Sequence, residues 1–215
     1  MDYPKYVEVG NKQYPINTDF RVAIECNRIA EDNSIGNLER ALAVIYTLFG
    51  EEALDDTEHY DKLLELAQKY LCCGKELEDN NEKPDMDFIE DMDYIEASFM
   101  SDYKIDLSNV EMHWWKFFNL INGLSNSEMG NCCVLNRIRN LRTFNTKDIK
   151  DEKEKRRIEK EKSKVALNKY KDFNKKKVTL TEQQKQSAKD LYEALGLRKE
   201  WCYGRKSSYW YWIRY

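Results

Sequence analysis

Proline and glycine are scarce, with three and eight in 215 residues. That scarcity excludes collagen-like and Pro/Gly-rich low-complexity chains, and it leaves few residues able to break a helix. Long apolar runs are missing too. No stretch approaches the roughly 18 to 20 residues of a membrane span. The opening MDYPKYVEV lacks the basic-then-apolar order of a signal peptide. The expected location is therefore the cytoplasm of the cell that makes the chain, with no membrane partner.

Catalytic signatures are equally thin. The glycines stand singly as caps and turns, with no P-loop, no Gly-x-Gly-x-x-Gly and no His-Glu-x-x-His. His113 and Lys116 share a turn, but no second histidine or carboxylate stands at a triad-like spacing, and His59 lies in a separate charged helix start. The six cysteines are the pairs Cys72-Cys73 and Cys132-Cys133 with single Cys26 and Cys202. Adjacent cysteines lack the two-residue spacer of zinc knuckles. Reduced, mostly buried thiols are expected. The reading is of no enzyme, no catalytic residue, no metal and no cofactor.

What the chain has in quantity is charge and aromatic mass. Charged residues make up 34% of it, and the net charge of −4 hides a polarity along its length. Residues 51–112 carry roughly three to four times as many acids as bases, and residues 137–177 roughly twice as many bases as acids. Such segregation implies an internal charge match or two faces aimed at different partners.

Tyr6-Val7-Glu8-Val9, Gly10-Asn11 and Lys12-Gln13-Tyr14-Pro15-Ile16 predict a hairpin around a two-residue turn. Amphipathic helices follow. One is capped by Thr18 and runs to Ala30, with Phe20, Ala23, Ile24 and Asn27 on one face. The next is capped by Asn37 and ended by Gly50. A third spans about 57–73, and a fourth about 87–103, with Phe88, Met92, Ile95 and Phe99 on one side. Lys75 to Pro84 is polar and loop-like, the best internal hinge. Ser108-Asn109-Val110-Glu111 and Ser125-Asn126-Ser127-Glu128 both have the form of a capping box and predict two more helix starts. From Thr146 the apolar positions thin out into a charged, solvated helix. Thr181 begins a last helix, and the tail from Trp201 to Tyr215 is densely aromatic.

The fold class expected is mainly α: a multi-helix bundle with a small N-terminal β-hairpin and a long charged helix near the C-terminus. The domains read as a helical core over 1–145, a charged arm over 146–177, and a C-terminal helix with aromatic tail over 178–215. Within the core, His113-Trp114-Trp115-Lys116-Phe117-Phe118 is the densest aromatic segment. Two adjacent tryptophans must each bury a large ring and find a partner for the indole N–H. On a helix they point about 100° apart, so one thin seam cannot take both. Either neighbouring helices cover both sides, or part of the wide apolar face is left for a partner. The residues expected to bind that partner are Trp114, Trp115, Phe117 and Phe118.

The blocks Tyr14 to Val22, Phe88 with Asp93 to Phe99, Tyr103 to Leu107 and Met112 to Phe117 with Gly123-Leu124 resemble a family of phage proteins. That family is encoded beside the tape-measure gene of long-tailed phages and prophages of Gram-positive bacteria, and is similar in position and helical character to tail assembly chaperones. The resemblance covers roughly residues 3–170, and residues 178–215 fall outside it. It implies a non-enzymatic chaperone in the infected or lysogenic host. Such a protein would bind and solubilise the tape-measure protein, associate with itself in many copies, and have the tail-tube protein as a further partner. Two other readings stand beside it: a nucleic-acid-binding phage protein using the basic 137–177 arm, disfavoured by the interleaved acids and the acidic whole, and a small phage inhibitor of a host protein acting through the aromatic tail.

Overall fold

A computed structural model describes residues 2–75, 84–126 and 132–168. The helix expected from Thr181 and the aromatic tail lie outside the described residues, as do most of the Lys75–Pro84 hinge and the second half of the Ser125 capping box. The chain divides into two units. Among the described residues the first comprises 2–75 with 111–118, and the second 84–110, 119–126 and 132–168. The described structure is mainly helical with one small N-terminal hairpin.

In the first unit β1 (Tyr6–Val9) pairs antiparallel with β2 (Lys12–Pro15), with Val7 opposite Tyr14 and Val9 opposite Lys12. Gly10 turns the chain at a φ of +60° while Asn11 keeps an ordinary φ. That division belongs to a II′ turn, which requires glycine first. A lone hairpin is marginal in water, and this one is anchored by a buried carboxylate. Tyr14 donates its phenol to Asp56, His59 Nδ1 lies 2.9 Å from the other Asp56 oxygen, and Lys12 Nζ is 3.5 Å away. Burial and the Asp56 carboxylate push the Tyr14 phenol up to about 12, and the same hydrogen bonds hold Asp56 below the usual carboxylate range. The array is locked for structure.

The helices of this unit are α1 (Phe20–Glu31), α2 (Asn37–Phe49), the short α3 (Glu51–Leu54), a 3-10 turn (Thr57–His59) and α4 (Tyr60–Leu71). The expected inward face of α1 is buried, with Cys26 and Ala30 added to it. Two caps differ from expectation by one residue. Asp19 caps α1 by accepting from Arg21 N–H, because the Thr18 carbonyl is held by Trp114 N–H at 2.8 Å. Gly36 precedes α2, and its N–H donates to Glu39 at 2.6 Å, while the Asn37 side chain accepts from Arg40 instead.

The second unit contains α5 (Met92–Tyr103), α7 (Val134–Thr143) and α8 (Glu152–Val165). Of α6 (Trp114–Asn122), residues 119–122 belong here and 114–118 to the first unit. Ile95 and Phe99 of α5 and Leu135 of α7 are fully buried. Between them Ser98 donates to the Tyr94 carbonyl and accepts Leu135 N–H at 3.0 Å, so its hydroxyl is satisfied at the helix contact.

Three helix starts fall later than the capping patterns imply. Asp87 caps a separate turn through Ile89 and Glu90 N–H, so α5 begins at Met92. Asp106 takes the Ser108 N–H and hydroxyl and the Asn109 amide, which leaves Ser108 unable to cap. Ser125 offers its carbonyl to Cys133 N–H, and Cys133 is the residue that caps α7. In each case a nearby side chain or backbone group competes for the capping residue, the usual weakness of Asx and Ser signals.

Arg142 organises this unit. Its guanidinium makes two bonds to Asp91, at 2.6 and 2.7 Å, and donates to the carbonyls of Asp85 and Val165. Asp91 is 1% and Arg142 10% exposed. Removing one partner of a buried pair strands the other charge, at a cost of about 3–5 kcal/mol. Arg142→Met is expected to lose stability on that scale in urea denaturation. Adding Asp91→Asn in the same chain should restore part of it by removing the stranded charge.

Candidate functional site

The aromatic segment sits at the C-terminal end of α4. The last carbonyls of a helix have no partner inside it. Here Cys73 and Gly74 take left-handed φ values of 55° and 71°, and Gly74 N–H closes back on the Lys69 carbonyl at 2.8 Å. Trp114 donates its indole N–H to the Leu71 carbonyl at 2.9 Å, and Trp115 donates to the Tyr70 carbonyl at 2.8 Å. Both indoles thus find their N–H partners on one helix end, though their rings leave α6 in different directions. Gly74 is also a close approach, since a Cβ there would lie 3.2 Å from the Trp115 ring.

The main chain places α6 for this. Phe20 N–H donates to the Met112 carbonyl at 2.9 Å, and Trp114 N–H to Thr18, so 112–114 runs extended against the start of α1. His113 then caps α6. Its Nδ1 accepts Trp115 N–H at 3.0 Å, its carbonyl accepts Phe117 N–H, and Nε2 donates to the Pro4 carbonyl at 2.9 Å. Both ring nitrogens are engaged, and the arrangement requires the neutral tautomer protonated on Nε2. No acid–base work is left to this imidazole.

Around the cap the rings stack. Phe20 and Phe117 lie 4.3 Å apart, Trp114 faces Phe117 and Phe118, and Lys75 Nζ is 5.0 Å over the Phe118 ring. Trp114 and Phe117 are 0% exposed and Phe118 4%. Of the four residues expected to face a partner, these three are interior. Trp115 alone reaches the surface, half-buried beside Tyr3 and His113. Tyr3, stacked on His113 at 4.9 Å, carries no sequence signal for this role, because only folding brings it 112 residues along the chain to Trp115.

The remaining chemistry-bearing groups are accounted for by packing. Cys26, Cys72 and Cys133 are buried free thiols, with Cys73 and Cys132 half-buried. Burial pushes the Cys26 and Cys73 thiols up to about 12 and Cys72 up to about 11. Among the described residues no three of His, Cys, Asp and Glu converge on a metal-sized site, and no helix is long and apolar enough to cross a membrane.

Burial lowers the pKa of His113, with Lys5 adding to the effect and the Pro4 hydrogen bond opposing it. The unfolded chain therefore takes up this proton first as pH falls. Stability is full above the ordinary histidine pKa and declines as pH drops from there towards the folded-state value. The thermal midpoint should fall between about pH 7.5 and 5. In His113→Asn, whose side-chain oxygen can still cap α6, that part of the slope should vanish.

Residues 2–167 match the family described as Bacteriophage Gp15 protein. No curated protein and no solved structure matches the chain. The matched span runs from the hairpin through α8, and includes the His113 cap, both tryptophans and the Asp91–Arg142 pair. This chain belongs to the Bacteriophage Gp15 protein family.

Proposed function

We propose that the protein is a tail assembly chaperone, which binds the tape-measure protein in the host cytoplasm and keeps it soluble until tail-tube subunits enclose it. The observation that carries this reading is the phage-family match over 2–167. That span contains the Ile105-Asp106-Leu107 and His113-Trp114-Trp115-Lys116-Phe117 blocks, through which the chain resembles proteins encoded beside tape-measure genes. The work such a protein does is coverage of apolar helix faces, and it calls for surface aromatics held on a rigid frame. The half-buried Trp115, fixed through its indole N–H and flanked by Tyr3, fits that need. Trp114, Phe117 and Phe118 hold it in place from within.

The nucleic-acid reading loses two of its arginines to internal pairing, since Arg139 and Arg142 are bonded to Asp85 and Asp91. The host-inhibitor reading rests on the tail, outside the described residues.

Co-expression with the tape-measure protein of the same phage, followed by pull-down and light scattering, tests the proposal. A soluble complex with many copies of this chain per tape measure is the expected result. An insoluble tape measure beside a free chain would sink it. Trp115→Ala should weaken capture and cost less stability than Trp114→Ala, because the Tyr70 carbonyl keeps Cys73 N–H as a partner. Trp114→Ala should cost about 3–5 kcal/mol as a core truncation, read as a lower thermal midpoint.

A further inference from the structure

The charged helix α8 is sorted around its circumference. Ile158 and Val165 are half-buried, as are Lys155 and Lys162, and they share the side towards α7. The opposite side is basic: Lys153, Arg156, Lys160 and Lys164 recur at spacings of three, four and four, with Arg157 beside them, all exposed. The glutamates border this stripe. Glu154 pairs with Arg157 at 2.8 Å and Glu161 with Lys164 at 2.6 Å. The side chains of Lys153, Arg156 and Lys160, along the middle, have no hydrogen bond or ion pair to any described residue.

The same unit displays a matching stripe of opposite sign. On α5, Asp93, Glu96 and Met100 share the outward face, and Ile89 is exposed in the turn that precedes the helix. Asp93 and Glu96 likewise have no partner among the described residues. Ile89 is 51% and Met100 46% exposed, so the acid pair has an exposed apolar side chain at each end. At the rise of an α-helix the α8 stripe from Lys153 to Lys164 is about 16 Å long and the α5 stripe from Asp93 to Met100 about 11 Å, so the acids fit within the basic stripe. Long lysine and arginine stems can lie over the apolar ends while their charges reach the acids.

We propose that the occupant of the α8 stripe is the α5 stripe of a second copy of this chain, with Arg156 and Lys160 meeting Asp93 and Glu96. Two different faces of one chain make a heterologous contact, which propagates copy to copy unless it closes into a ring. Single exposed ion pairs are weak. At physiological salt, contacts of this strength leave the free chain mostly dispersed and add up when copies are held along one scaffold. The inference deepens the self-association part of the tail-chaperone reading and rests on it for biological purpose. It is tested on the purified chain alone, so its failure leaves the tape-measure experiment untouched.

Sedimentation velocity on the full-length protein gives the test. Concentration-dependent oligomers are expected at low salt and monomers at about 1 M salt, where the Debye length is about 3 Å. Arg156→Glu/Lys160→Glu and Asp93→Lys/Glu96→Lys should each be monomeric at low salt. An equimolar mixture of the two should associate again, since each reversed stripe then faces its complement. A wild type that stays monomeric at low salt, or a mixture that fails to re-associate, overturns the assignment. Fluorescence anisotropy with a short DNA duplex is run alongside. Salt-sensitive binding, lost in Arg156→Glu/Lys160→Glu, by a wild type that remains monomeric would give the stripe to a polyanion instead.

Discussion

The first unit depends on how the end of α4 is closed. Tyr70 and Leu71 present carbonyls at the helix end; the Trp114 indole N–H takes that of Leu71, and the Trp115 indole N–H joins Cys73 N–H on that of Tyr70. The consequence runs in both directions. The helix end gains partners that exclude water, and the tryptophans are fixed at both ring and backbone. From that point Phe117 stacks on Phe20 and draws the start of α1 into the same core. The His113 cap, bonded to Pro4, ties the N-terminal segment ahead of the hairpin to the start of α6. Few polar bonds are involved, and loss of Trp114 would leave the buried Leu71 carbonyl without its indole partner.

The second unit uses charge for the same purpose. Asp91 and Arg142 lie 51 residues apart in sequence and meet with bidentate geometry at a site almost closed to water. A buried ion pair gains little net stability over an apolar pair, because desolvation offsets the attraction. Its value is in specificity: Arg142 also binds the Val165 and Asp85 carbonyls, so one side chain sets the positions of α5, α7 and the end of α8. The acidic and basic segments of the sequence are partly used up in this way. Those side-chain charges left unpaired on α5 and α8 form the stripes proposed to join one copy to the next.

For function, the consequence is a division of labour within one aromatic run. Most of the conspicuous residues make the frame, and the surface they support is small and defined by Trp115 and Tyr3. His113, the residue closest to a catalytic look, has Nδ1 committed to capping α6 and Nε2 to the Pro4 carbonyl.

Much of the fold could be read from local pattern. Strand alternation about Gly10-Asn11, the 3.6-residue periodicity of α1, α2 and α4, and the thinning of apolar residues into α8 all act within one element, so neighbouring residues suffice to reveal them. The demand that each tryptophan find a hydrogen-bond partner was equally legible. Which carbonyls would answer it was not, because Leu71 and Tyr70 lie 43 and 45 residues away. The same holds for the capping boxes: Ser108 and Ser125 carry the right pattern, but Asp106 and Cys133 compete for them once the chain is folded. Burial of Trp114, Phe117 and Phe118 while Trp115 stays half-buried is likewise a tertiary outcome, since a helical wheel orders faces without saying what covers each. Local pattern marks most of the described helices and where charge and aromatic mass accumulate. Which of those charges and rings end up inside is set by tertiary contacts, because desolvation and partner geometry depend on residues far apart in the chain.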